Sequence, residues 1–235
     1  MPSLPPAIDL VVHRQGDGPP LVALHDIAGD GRGMLGALDL LSDEFTVVAP
    51  DLRGHGASPT PKGPWSVDDF SSDIARLVAK EARGCVVVGV GLGAATAISL
   101  ALGHPGLISG LVLSGIGPRK EDVNAEDRWA RVARAVRERG GTHAEGIALA
   151  TEALGMRPDW RAALAQVDVP AVVLAGAGDR AVPAEAQREL SAWIRHARFR
   201  VVSNAGHNVA ADHPDAIAAA VHSLAADPRP AALAA

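Results

Sequence analysis

The chain of 235 residues has no tyrosine, three phenylalanines and a single cysteine. The lone thiol, Cys85, closes no internal disulfide and builds no cysteine-rich metal site. Apolar runs are broken by Gly, His or Asp well short of the roughly 20 residues that a membrane-spanning helix needs. No basic segment precedes the short apolar run after Pro2, Pro5 and Pro6, so no secretory leader is expected and the cytoplasm is the default location. Lys and Arg number 22 against 27 Asp and Glu, and the net charge of −5 leaves no footprint for nucleic acid or an anionic membrane. His13, His104, His143, His196, His213 and His222 have no metal-ligand spacing. No metal or cofactor is expected. The expected partner is a small-molecule substrate or ligand, and the sequence does not set the oligomeric state.

Hydrophobic residues make up 48% of the chain, enough to bury one sizeable core. Short aliphatic runs at 8–13, 21–25, 45–50, 85–90, 111–114, 171–175 and 199–202 are bounded by Gly or Pro, as buried parallel strands are. Helical patterns fill the gaps at 66–82, 93–102, 184–194 and 214–226, the first opened by a capping box from Ser66 to Asp69. This alternation predicts an α/β sheet with helices on both faces. Residues 118–165 interrupt it, and the Pro/Ala-rich tail at 228–235 is expected to fray. Within the interruption, Arg128, Arg131, Arg134, Arg137 and Arg139 form a basic stripe. With Asn124 as cap and Glu126 and Asp127 in the first turn, that order suits a helix dipole and reads as a solvated face.

The chemistry-bearing residues fall just after the strand runs. They are His25-Asp26, the segment Asp51-Leu52-Arg53-Gly54-His55-Gly56-Ala57-Ser58, the run Gly89-Val90-Gly91-Leu92-Gly93, Asp179, and Gly206-His207. Jointly they resemble the α/β-hydrolase superfamily over essentially the whole chain. The resemblance implies an eight-stranded, mostly parallel sheet, a core of 1–117 and 166–227, and a helical cap at 118–165. It implies nucleophile, acid and histidine in that chain order, and it matches the acid to Asp179 and the histidine to His207. The backbone amides of Ile27 and Leu92 match the oxyanion hole, with His25 organising its loop. Asp51, Arg53 and His55 match a loop whose role is structural.

Two positions depart from that pattern. The family's elbow is G-x-S-x-G, and Gly91 stands where the serine belongs, so no serine acyl-enzyme forms there. Glycine tolerates the positive φ of such a turn, so the turn is expected to survive without its hydroxyl. Asp26 stands where the family commonly has glycine. Pointing inward, it would repel an oxyanion or act as an acid or base beside His207. Pointing outward, it would cap the next turn. Ser114 is a weak candidate for a relocated nucleophile, with Ser58 and Ser203 weaker still. Trp129 and Trp160 are the cap residues placed to line a pocket, and Leu149, Leu154 and Met156 suggest that it is small and apolar.

The reading is therefore an enzyme on a small carbonyl-containing substrate, using His207 and Asp179 for proton transfer (lyase, isomerase or cyclisation) or for water-mediated hydrolysis. The alternatives are a retired hydrolase that binds a ligand, or a nucleophile-knockout form of an esterase or lactonase.

Overall fold

Seven strands form one sheet in the computed structural model, which describes residues 8–119 and 125–226. They are β1 (Val12–Gln15), β2 (Pro20–Leu24), β3 (Thr46–Pro50), β4 (Cys85–Val90), β5 (Ile108–Ser114), β6 (Ala171–Gly176) and β7 (Ala197–Val202). Their order is β1-β3-β2-β4-β5-β6-β7, with β1 antiparallel to β3 and every other pairing parallel. Successive side chains go to opposite faces. Val22 and Leu24 of β2 join one apolar layer, and Leu21 and Ala23 join the other. Covered on both sides, β4 is buried at every position, which is why its sequence is a continuous apolar run.

One face is covered by α2 (Val67–Glu81), α3 (Leu92–Gly103) and α7 (Ala184–Trp193), the other by α1 (Gly31–Ala37), α8 (Val209–Asp212) and α9 (Pro214–Ala225). The capping box of α2 forms as its sequence predicts, with the Ser66 amide donating to Asp69 at 2.7 Å. Between β5 and β6 the chain leaves the sheet to form α4 (Ala125–Arg139), α5 (Ala144–Gly155) and α6 (Arg161–Leu164). Arg137 of α4 ties to Glu145 and Glu152 of α5, so part of the basic stripe is an inter-helix clamp.

The sheet has seven strands among the described residues, not the eight expected. The opening strand is Val12–Gln15 rather than 8–13. The backbone before it is drawn off by side chains: the Ile8 amide donates to Asp73 at 2.8 Å and the Val11 amide to the Ser58 hydroxyl at 2.9 Å. Those groups are then unavailable to a neighbouring strand. The expected helix cap at Asn124, the N-terminal residues Pro2, Pro5 and Pro6 and the tail at 228–235 lie outside the described residues. No described helix is long and apolar enough to cross a membrane.

Candidate active site

The parallel strands all end at one edge of the sheet, and the loops leaving them carry the polar residues there, as is general for open α/β sheets. The turn from β4 into α3 holds Gly91 at φ +52 and ψ −111, with its amide donated to the Ser114 carbonyl at 2.9 Å. That left-handed φ is one a side chain strains to adopt and glycine does not. The turn leaves the Leu92 amide at the start of a twelve-residue helix, aimed at the loop after β2.

Asp26 fills that position. Its side chain points inward: Oδ1 accepts the Leu92 amide at 2.9 Å, and Oδ2 lies 3.2 Å from Nε2 of His207. A Cβ built on Gly91 would overlap Oδ1 and Cγ of this carboxylate and lie 2.8 Å from Oδ2. The carboxylate and a side chain at position 91 therefore compete for one volume. The local turn is tight, with Gly29 donating to the Asp26 carbonyl at 2.9 Å and Ala28 at φ +62. The expected open oxyanion amide at Leu92 is thus engaged by the protein's own carboxylate.

Asp179 reaches the other nitrogen, with Oδ2 2.9 Å from Nδ1 of His207. Its Oδ1 accepts the Ala181 and Val182 amides, each at 2.9 Å, and the buried Gln187 amide donates to Oδ2 at 3.1 Å. Gln187 also accepts the Gly115 amide at 2.9 Å, linking the loop after β5 to the same acid. A Cβ at Gly115 would sit 2.8 Å from Cε1 of the imidazole, so that glycine lets the ring lie against the backbone. With a carboxylate on each nitrogen, His207 is an imidazolium. The Asp26 hydrogen bond first, then that of Asp179, outweighs burial and pushes its pKa up to about 9.

A cavity of about 350 Å³ opens over these groups. Asp26, Ile27, Gly91 and His207 form its floor, and Trp129, Val132, Leu154 and Arg157 are among its cap walls. Several of the residues expected there lie elsewhere. Trp160 is buried in the core and not on the cavity wall, its amide tied to the Pro118 carbonyl at 2.9 Å at the start of α6. Leu149 belongs to the core, and Met156 faces solvent. His25 is off the cavity too. Burial lowers its pKa, and the neutral ring donates from Nδ1 to the Asp26 carbonyl at 2.7 Å and accepts the Leu52 amide on Nε2 at 2.9 Å. It pins the loop after β2 to the loop after β3. Ser114 is buried and off the cavity wall, so nothing exposes its hydroxyl to a substrate.

Arg157 and Gln187 are the residues that sequence reasoning missed. Gln187 had a faint signal, as a polar residue at i−3 from Leu190 on the inward stripe of α7. Arg157 had none.

A model of the alpha/beta hydrolase family matches residues 21–220. A 2-(acetamidomethylene)succinate hydrolase from Mesorhizobium japonicum is 29% identical, over 86% of each chain. A 3-oxoadipate enol-lactonase from Acinetobacter baylyi is 25% identical, over 93% of this chain and 92% of that one. Among solved structures, a thermophilic esterase from Thermogutta terrifontis superposes with a TM-score of 0.84 at 24% identity, covering 91% of this chain and 92% of that one.

Proposed function

Because the chain belongs to the alpha/beta hydrolase family, we propose that it is an enzyme for a small, largely apolar, carbonyl-containing substrate that works without a serine nucleophile. The observation that carries this reading is the seat of Asp26, whose carboxylate bridges the Leu92 amide and His207 in the volume a side chain at position 91 would need. A carboxylate there is a base next to an acid. Asp26 takes a proton, either from the carbon beside the substrate carbonyl or from a water that attacks it. The electron pair moves onto the carbonyl oxygen, and Nε2–H of His207 donates to that oxygen or to the leaving group. Asp179 holds the imidazolium in line. His207, charged before substrate arrives, thus serves as the acid rather than the base expected from its position. The proposal calls on no metal, nucleotide or flavin.

The names of the relatives, a hydrolase and an enol-lactonase, support a carbonyl substrate. A second reading, a retired hydrolase that only binds a ligand, is favoured by the occupied Leu92 amide. A simple knockout of an ordinary esterase is disfavoured, because replacing one serine by glycine does not also supply a carboxylate fitted to the vacated space.

The test is proton NMR in D2O with a panel of small esters, lactones and ketones, following both C–H exchange and hydrolysis. Asp26→Asn is expected to lose about 10²–10⁴-fold of the turnover found for the wild type. Equal rates in the two proteins would overturn the reading. Binding of panel members with neither exchange nor hydrolysis would establish the receptor instead.

A further inference from the structure

Arg157 follows the last turn of α5, in the run Gly155-Met156-Arg157-Pro158, and is 4% exposed. Two of its donors go to carbonyls, Leu154 at 3.1 Å and Arg119 at 2.7 Å. A guanidinium has five, and Nε has no partner. No carboxylate among the described residues pairs with it, the Trp160 ring lies 6.0 Å from its guanidinium, and burial pulls its pKa down to about 10. A charge so placed is costly to bury unless something pairs with it. Arg157 lines the same cavity as Asp26 and His207. So does Trp129, whose indole N–H is also buried without a partner. Both unmet polar atoms on this wall are donors. The rest of the wall is mostly apolar, and at the floor the Asp26 carboxylate faces the cavity beside the His207 imidazolium, whose charge is also met from behind by Asp179. The cavity therefore has a cationic end in the cap and a net anionic end at the sheet.

We propose that the substrate carries a carboxylate which pairs with Arg157, with Trp129 as the second donor, while its carbonyl group reaches Asp26 and His207. This names the substrate class for the reading above and rests on it for the chemistry at the far end. An anion is repelled from Asp26 and drawn to Arg157, so the charge pattern fixes which way the molecule enters.

The experiment compares hexanoate with hexanamide, which match in shape and differ in charge, by calorimetric titration and by NMR of the tryptophan indole N–H groups. Hexanoate is expected to bind at least about tenfold more tightly and to shift the Trp129 indole resonance. Arg157→Gln is expected to abolish the preference. Equal binding of acid and amide by the wild type, a measurement that needs no variant to fold, would overturn the proposal. So would a preference for hexanoate that survives in Arg157→Gln. Because this is equilibrium binding, a protein that prefers hexanoate yet catalyses nothing refutes the enzyme and leaves the carboxylate site standing.

Discussion

Arg53 and Arg157 are buried alike, at 2% and 4% exposure, yet their charges are met in different ways. Arg53 sits in a closed network. Its Nε and NH2 donate to Asp73 at 2.7 and 2.9 Å, its NH1 to Asp69 at 3.2 Å, and the Trp65 and Phe70 rings flank it. Arg157 has two carbonyls and the Trp160 ring, 6.0 Å away, and no carboxylate. The carboxylates Asp51 and Asp26 repeat the contrast at the ends of neighbouring strands. Asp51 is saturated by the Gly31 and Ala57 amides and His13, which hold its pKa below the ordinary value although burial alone would raise it. Asp26 has one amide and one imidazolium, and it faces a cavity. A buried charge with its full complement of partners serves the architecture, and one left short of partners on a cavity wall is available to a ligand.

The largest expected effect tests the arginine pair directly. Arg53→Met strands Asp69 and Asp73 and is expected to cost about 3–5 kcal/mol, the usual penalty for breaking a buried ion pair. On a chain of this size that lowers Tm by about 6–20 °C. Arg157→Met leaves no carboxylate stranded and is expected to cost less than about 1.5 kcal/mol. Thermal melts of both variants are the check, and equal losses would break the comparison.

The next effect sharpens the contrast between Asp26 and Asp51. Gly91→Ser pushes its Cβ into the Asp26 carboxylate and puts a side chain at φ +52, so it is expected to destabilise by about 1–3 kcal/mol and to gain no esterase activity. Combining it with Asp26→Gly removes the overlap and frees the Leu92 amide. The double variant is expected to recover stability and to hydrolyse short aryl esters, with a burst, about 10²-fold or more faster than the wild type. An active, stable single variant would mean that Asp26 does not occupy that volume.

Much of this was legible locally. The apolar runs 85–90 and 21–25 announced buried strands because both faces of the sheet are covered, and Ser66 with Asp69 announced the start of α2. The loss of a side chain at position 91 is visible in a five-residue motif. The direction of Asp26 is not, because it depends on an amide 66 positions away and on an imidazole carried by the last strand's loop. The start of the first strand is hidden from the sequence for a similar reason: the partners that divert residues 8–11, Asp73 and Ser58, come from α2 and the loop after β3. Trp129 and Trp160 read alike as cap aromatics. Only the docking of α6 under the cap separates the one on the cavity from the one in the core.

The smallest expected effect concerns the two acids on His207. With the pKa at about 9 against an ordinary value of 6.5, the imidazolium is favoured by the fold. Its contribution is complete below pH 6.5 and is lost as pH rises through 9. The side chain is 31% exposed, so solvent screening leaves about 1–2 kcal/mol, or about 2–8 °C in Tm. The wild type is therefore expected to lose that much stability between pH 6.5 and 9.5 relative to His207→Gln, which has no proton to lose at this position. Asp26→Asn removes the larger of the two stabilising hydrogen bonds and should bring the loss to lower pH. Asp179→Asn shares the direction but also disturbs the Ala181, Val182 and Gln187 contacts, so its melt falls at every pH. Asp179 thus resembles Asp51, a saturated acid built into the frame. Of the two acids Asp26 is the one that faces the cavity, and a melt that falls with Asp26→Asn below pH 6.5 yet matches the wild type above pH 9.5 would separate the two roles.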